Sequence, residues 1–223
     1  MRTDAEIKND VKAEINWDSR LTGSNIDVEV TMGHATLIGT VNSYMKMVDA
    51  ERAARRVPGV NSVSNDLNVK IPESFQRSDK DIERAVRDTI TWNSSINEKD
   101  LKISVKDGWL TLEGTTDWEF QRSKARSLAQ DILGVKGITN LIKVKSSFPM
   151  PSDVKDRIKQ ALKRNHYLNG NDINVNIDKG KAILRGQVRT LAEKSAVETA
   201  AWSAPGITEV QNDLTVDYKE VFA

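Results

Sequence analysis

Cysteine is absent from the 223-residue sequence, and histidine occurs only twice. Without cysteine the chain forms no disulfide bond, no thiolate metal site and no cysteine nucleophile. The two histidines, His34 and His166, fall at non-equivalent places in the repeat pattern described below, and nothing pairs with them. We therefore expect two ordinary surface histidines, no metal site and no metal catalysis.

Long apolar runs are also missing. No stretch approaches the roughly 20 residues that a membrane-spanning helix requires. The chain opens with polar residues from Met1 to Glu6 and then turns amphipathic, without an apolar core of the length of a secretory signal. As written, the sequence predicts a cytoplasmic protein. The alternative is the periplasm or cell envelope, if a signal segment has been removed.

Neither sign of charge is in excess, since 33 basic residues stand against 32 acidic ones. Binding to nucleic acid commonly needs a basic surface that displaces counterions from the phosphates. The even balance argues against a large surface of this kind, so we do not expect nucleic acid as a partner.

What the sequence does contain is one unit that occurs three times. The segment from Gly33 to Gly39 returns between Gly108 and Gly114, and again between Gly180 and Gly186. Similar positions recur around each copy, which indicates a tandem repeat of roughly 70 residues per unit. The three predicted domains span residues 1–72, 77–146 and 151–223. Because a unit of this size alone buries only roughly 60% of the surface of its unfolded chain, we expect contacts between the units.

Each unit begins with a helical pattern. In the first unit, Thr3 and Glu6 form a capping box, and Ile7, Val11 and Ile15 follow at a spacing of four. Two strand patterns, a second helical pattern and a third strand pattern come next. The predicted fold class is α+β, with three tandem αββαβ units. Each unit is a two-layer sandwich with two helices on one face of a three-stranded mixed sheet.

Glycines mark the turns of each unit. A glycine before the second strand supplies the positive φ of a tight hairpin, and a glycine after the second helix is expected in the C′ position, where the helix stops. The glycines that we interpret as structural are Gly33, Gly39, Gly59, Gly108, Gly114, Gly134, Gly180, Gly186 and Gly206.

The combined pattern resembles the BON domain family, named for bacterial OsmY and nodulation proteins. The likeness rests on the two glycines that flank the second strand and on the Gly-Val or Gly-Ile opening of the third strand, which Asn65, Asn140 or Asn212 follows. It covers about 4–70, 79–145 and 152–218. The resemblance implies a stress-related or envelope-related role and binding to phospholipid or membrane-associated partners, with no cofactor and no catalytic residue. Three units are present here, where two are familiar in the family.

Aromatic side chains are the first candidates for a binding surface. Trp17 and Trp92 share one position at the end of the first helix, and Trp109 lies beside a hairpin turn. Tryptophan combines an apolar body with a polar N–H group, which suits a membrane interface or a protein contact. The alternative is that Trp17 and Trp92 cover the rim of their own core or pack on a neighbouring unit. Further candidates near the start of the second helix are Trp118, Phe120 and Tyr44, whereas Trp202 is expected to be buried.

Basic residues are the second candidates. Two helices carry basic clusters that would suit anionic headgroups, namely Arg52, Arg55 and Arg56 on one and Arg122, Lys124 and Arg126 on another. Acidic residues between them favour an ordinary solvated helix face instead. We interpret the carboxylate pair of Asp27 and Glu29 in the same way, as solvated rather than catalytic.

The sequence supports two main functional hypotheses. The first is a non-enzymatic stress-related or envelope-related protein that attaches to phospholipid membrane surfaces or membrane proteins. The second is a self-assembling structural protein, a homo-oligomer in which the linker aromatics Phe75 and Phe148 mediate contacts. A cytoplasmic cation-binding sensor, known in the same family, is a weaker alternative. We do not expect an enzyme, because no nucleophile, base and orienting group occur together.

Overall fold

The computed structural model describes residues 2–146, 149–164 and 173–217. It confirms the α+β fold with three repeated units. The elements of the first repeat are α1 (Asp4–Trp17), β1 (Asn25–Thr31), β2 (His34–Val41), α2 (Tyr44–Arg56) and β3 (Ser62–Val69). Those of the second are α3 (Asp79–Thr91), β4 (Leu101–Lys106), β5 (Trp109–Thr116), α4 (Glu119–Gln130) and β6 (Gly137–Val144). Those of the third are α5 (Val154–Arg164), β7 (Ile173–Asp178), β8 (Lys181–Val188), α6 (Leu191–Trp202) and β9 (Glu209–Val216).

Each repeat has its own three-stranded sheet. The order in the first is β1-β2-β3, with β1 antiparallel and β3 parallel to β2, and the other two sheets repeat this arrangement. The alternate side chains Ala35 and Leu37 are fully buried with Ile7 and Val11 of α1, whereas Ile38 is exposed. Alternation along the strands therefore buries one face under the helices and leaves the other open to solvent.

The hairpin turns follow the predicted glycines, and a carboxylate supports two of them. Met32 and Gly33 both have positive φ, at 50° and 75°, which is the conformation of a two-residue hairpin turn. The Asp4 carboxylate, in the first turn of α1, accepts hydrogen bonds from the backbone N–H groups of both residues. Asp79 does the same for the second hairpin. The sequence pattern gave no indication of this contact.

The second glycine of each repeat was expected to follow the second strand, but Gly39 lies inside β2, where it has a steric role. Gly39 has a φ of 132°, and a Cβ atom built there would lie 2.1 Å from the carbonyl oxygen of Asn25 on the paired strand. Gly114 meets Asp100 in the same way and at the same distance. A larger residue would push the two strands apart, so the requirement for glycine is absolute at this point of the fold.

The predicted stop of the second helix at a C′ glycine is wrong in detail. The helix α2 ends at Arg56 with Val57 as its C-cap, so Gly59 lies beyond the C′ position. The glycine has a φ of 94°, and a Cβ atom there would lie 2.9 Å from the Cδ1 atom of Ile7. Its role is to let the turn after the helix approach α1 closely.

One asparagine in each repeat joins the third strand to the second helix. The Asn65 side-chain nitrogen donates to the carbonyl oxygen of Met47 in α2 at 3.0 Å, and its side-chain oxygen accepts from the N–H of Leu67 at 3.4 Å. Asn140 and Asn212 make the same two bonds in their repeats. These three residues, which carried the family resemblance, therefore hold the helix and the sheet in a fixed relation.

The second helices also make the contacts between repeats. Tyr44, at the start of α2, belongs to the core of the second repeat, and Leu191, at the matching position of α6, belongs to the core of the first. From α4, the guanidinium of Arg122 lies over the ring of Trp202 in the third repeat, 4.8 Å from its centre. The second helix of each repeat thus contacts the following repeat, and the second helix of the third repeat contacts the first. We infer that the three units close into a ring with approximate threefold order.

These contacts between repeats correct two expectations. Tyr44 is only 8% exposed, because it lies in the joint between the first and second repeats instead of on a free surface. Trp202 is half-buried rather than buried, because one face of its ring meets Arg122 across the joint between the second and third repeats.

Replacing Asn65 tests the bridge between strand and helix. Asn65→Ala removes a donor to Met47 and an acceptor for Leu67, so we expect the free energy of unfolding to fall by about 1–3 kcal/mol. Asn68→Ala on the same strand, at an exposed position, is the matched control and should change little. Urea denaturation of both variants gives the measurement. Equal stability of the two would show that the bridge is dispensable.

Replacing Leu191 tests the ring. Leu191→Ala removes an apolar side chain from the core of the first repeat, although the residue belongs to the third. We expect a loss of about 2 kcal/mol in unfolding free energy and faster amide hydrogen exchange in the first repeat. Val188→Ala, in the core of the third repeat, is the control and should leave exchange in the first repeat unchanged. Unaltered exchange there in Leu191→Ala would contradict the ring.

Candidate interaction surfaces

Two tryptophans stand out from the surface of the molecule. Trp17 and Trp92, at equivalent places where α1 and α3 end, are 88% and 89% exposed. They cover neither their own core nor a neighbouring repeat, which rules out the structural alternative considered from the sequence. The third repeat has Arg164 at this position, also exposed. The approximate threefold order of the ring relates these three positions, and we call the set of Trp17, Trp92 and Arg164 the tryptophan face.

Trp109 lies on a different surface. It is 52% exposed on the open side of the second sheet, where its indole Nε1 donates to Thr139 Oγ1 at 2.8 Å. Its ring crosses Gly137 so closely that a Cβ atom there would lie 2.5 Å from a ring carbon. The same strand position pairs His34 with Ser62 in the first repeat. Trp109 therefore contributes to a cross-strand contact as well as to the surface.

Trp118 and Phe120 lie beside the joint between the second and third repeats. Both line a groove of 970 Å³ between α4 and α6, with Trp202 on the opposite wall. Phe120 is more than half exposed, and Trp118 is half-buried. The sequence singled out both residues, but it gave no sign of the groove between repeats to which they belong.

The arginine cluster of α2 is paired with carboxylates. Arg52 binds Asp49 at 3.2 Å, Arg55 lies 3.7 Å from Glu51, and Arg56 binds Glu14 of α1 at 3.0 Å. These ion pairs reduce the positive charge available to an anionic partner. The arrangement favours the solvated, ion-paired helix face over a headgroup site.

A buried carboxylate lies beneath this cluster. Asp49 is 1% exposed and accepts hydrogen bonds from both Arg20 and Arg52. Arg20 also binds Asp18, and this hydrogen bond is the main cause that lowers the pKa of Asp18 from 3.8 to about 2. The network fixes the segment between α1 and β1 against α2. Sequence reasoning missed it, because neither acidic residue recurs in the other repeats.

The other candidate centres do not gather into a site. His34 shares a hydrogen bond with Ser62, while His166 and Phe148 lie outside the described residues. Among the described residues, no group of three or more histidine or acidic side chains is arranged to hold a metal ion. Within the same part of the chain, no helix is long and apolar enough to cross a membrane. Asp27 remains exposed and pairs with Lys12 at 2.7 Å.

Comparison with known proteins gives matches at several levels. A family model described as BON domain matches residues 3–71, 78–146 and 152–218. Among curated proteins, the chain is similar to the Osmotically-inducible protein Y of Escherichia coli (strain K12). The two are 27% identical over 146 residues, which cover 64% of this chain and 73% of the relative.

Solved structures give weaker likenesses. CdsD, described as a structural protein of the Type III secretion system of Chlamydia trachomatis, aligns over 96% of this chain and 94% of its own, with a TM-score of 0.27 and 16% identity. The structure described as its C-terminal domain gives a TM-score of 0.26 and 14% identity, over 97% of this chain and 100% of its own. At these scores neither structure carries an argument about arrangement or role.

The Asp18 network predicts an acid-dependent loss of stability. The folded pKa of Asp18 lies below its unfolded value, so its contribution is present above about pH 4 and is lost as the pH falls towards about 2. Asp18→Asn should lower the melting temperature by a few degrees at pH 6, and the gap to wild type should close between about pH 4 and pH 2. Thermal melts across this range give the measurement. A gap that is the same at both ends would contradict the assignment.

Proposed function

Since its three matched segments show that this chain belongs to the BON domain family, we propose that it is a non-enzymatic, envelope-related binding protein that attaches to phospholipid membrane surfaces. Family membership supports a binding role. Among the described residues, no group of histidine or acidic side chains is arranged to hold a metal ion. The relative's name concerns osmotic induction, and we extend a role in osmotic stress to this chain as part of the proposal.

The observation that carries the proposal is the exposure of Trp17 and Trp92. Moving an exposed indole ring out of water lowers the free energy, because the ring is largely apolar. In membranes, tryptophan prefers the boundary between the lipid headgroups and the acyl chains. Each of these two exposed rings, at matching positions of the ring-shaped molecule, is free to enter a lipid interface.

The charge on the same face favours an anionic surface only modestly. Lys163 and Arg164 end α5 and are both exposed at the third position of the tryptophan face. The arginines of α2, by contrast, are bound to carboxylates. We therefore expect ring insertion to supply most of the binding free energy and the two cations to add a part that salt weakens.

Self-assembly is the second candidate function. Phe75, in the linker after β3, and Leu133, after α4, are each about half exposed and line one cavity at the joint between the first and second repeats. An apolar patch of this kind suits a second copy of the chain as well as any other partner. Light scattering over a range of concentrations distinguishes the cases, and a strict monomer removes this candidate.

Co-sedimentation with liposomes tests the membrane proposal. Vesicles that contain phosphatidylglycerol should bring down the wild type at low salt, and less of it as the salt concentration rises. The double variant Trp17→Ala, Trp92→Ala should partition at least about tenfold more weakly, because about 1.4 kcal/mol of apolar burial corresponds to a factor of ten. The binding constants come from titration with lipid at fixed protein concentration.

Trp109→Ala is the matched control, because it also removes an indole ring but from the open side of a sheet. Circular dichroism must show that both variants are folded. The membrane proposal fails if the wild type does not sediment with anionic vesicles at low salt, or if the double variant binds as the wild type does. Loss of binding in Trp109→Ala alone would move the contact from the tryptophan face to the sheet.

A further inference from the structure

Two joints of the ring leave very different amounts of space. The cavity at the joint between the first and second repeats measures 250 Å³ and involves Ser43, Tyr44, Met45 and Gln130. The matching positions of the next joint are Trp118, Glu119, Phe120 and Trp202, and they line the groove of 970 Å³. This volume lies in the range of small-molecule binding sites in proteins.

The groove is open because the first residue of its second helix is not apolar. We call an apolar residue at this position the plug of a joint. In the other two joints, the first residue of the second helix is Tyr44 or Leu191, and each is buried in the core of the neighbouring repeat. The matching residue of α4 is Glu119. Its carboxylate bends back along its own helix, 2.5 Å from Arg122 Nε and 2.7 Å from Ser123 Oγ. It therefore leaves unfilled the space that an apolar side chain fills elsewhere.

Three aromatic side chains supply apolar surface in the groove. Trp118 and Phe120 line one side, where the first joint has a serine and a methionine, and Trp202 lines the other, where the first joint has Gln130. One wall belongs to the second repeat and the other to the third, so a ligand in the groove would contact both repeats. The other ten lining residues are polar, namely five serines, one threonine and four charged residues, so the groove suits a ligand with both an apolar and a polar part.

The charges at the groove favour an anion on this ligand. Lys124 and Arg126 line the groove, and among the described residues neither is in an ion pair; Arg126 has a hydrogen bond of 3.4 Å to the hydroxyl of Tyr44. The carboxylate of Glu119 is already neutralised by Arg122. Glu198 on the opposite wall accepts a hydrogen bond from Asn212, which holds it against its own repeat. An anionic head near Lys124 would give this cation an ion-pair partner, and Arg126 adds positive charge to the same groove.

We propose that the groove between α4 and α6 binds a single-chain anionic amphiphile, that is, one alkyl chain with a carboxylate or phosphate head. The chain lies between Trp118, Phe120 and Trp202, where an apolar side chain of the protein lies in the other joints, and the head lies at Lys124 and Arg126. This site is separate from the membrane attachment proposed above, because Trp17 and Trp92 take no part in it.

Calorimetric titration of the whole chain with dodecanoate and with dodecyl phosphate, each below its micelle concentration, tests the proposal. We expect saturable binding of one molecule per chain for both heads, and binding of dodecyltrimethylammonium at least about tenfold weaker, because its head has the opposite charge. A preference for one of the two anions distinguishes carboxylate from phosphate ligands. No saturable binding, or equal binding of the cationic amphiphile, overturns the proposal.

Three variants locate the site. Glu119→Leu supplies the plug that Leu191 supplies in another joint, so it should raise the melting temperature and weaken binding at least about tenfold. Trp202→Gln, which copies the first joint, should weaken binding without filling the groove. Lys124→Glu should weaken binding severalfold, whereas Lys80→Glu, the same charge change on an exposed part of α3, should not.

Full binding in both Glu119→Leu and Trp202→Gln, with the variants folded, would place the amphiphile outside the groove and overturn the assignment. The double variant Trp17→Ala, Trp92→Ala should bind monomeric amphiphile as the wild type does. Failure of vesicle binding together with intact amphiphile binding would then remove the membrane proposal and leave this one standing.

Discussion

The hydrogen bonds of Asn65, Asn140 and Asn212 set the position of the second helix in each repeat. Each asparagine donates to a helix carbonyl and accepts from its own strand, so the helix neither rotates nor slides on the sheet. These amides are half-buried, and because both their donor and their acceptor are bonded, they restrict the relative position of helix and strand. Because the second helices carry the contacts between repeats, this local constraint also determines how the ring is assembled.

The three repeats share their backbone fold and core positions and differ in the residues at the joints between them. Glycine is required where the second strand approaches the backbone of the first most closely. The same buried apolar positions recur under each pair of helices. The residue at the start of the second helix is free to vary, and it is Tyr44, Glu119 or Leu191. The first and last of these seal a joint, and the middle one leaves a groove. Differences between repeats are therefore more informative about function than the features they share.

The sequence predicted the fold well because the fold depends on local patterns. The helical spacing around Ile7 and the strand alternation around Val28 each predict an element with one buried face, whatever that face packs against. The sites depend on contacts between distant segments, and periodicity contains no information about them. Trp17 and Tyr44 are both aromatic residues near helix ends, yet one is free in solvent and the other is buried in a neighbouring repeat. Comparison of matched positions across the three repeats could have drawn attention to Glu119, the one charged residue among them.

The cost of Glu119 supports a functional explanation for the groove. At the position where Tyr44 and Leu191 are buried in apolar surroundings, Glu119 places a mostly buried carboxylate that requires Arg122 as a counterion. Selection for stability alone would favour leucine or tyrosine here, as in the other two joints. Residues that lower stability at one member of a repeated set are typical of sites where a protein needs open space for a ligand. The first helices pack within their own repeats, so an occupied groove and an occupied tryptophan face do not compete for the same elements.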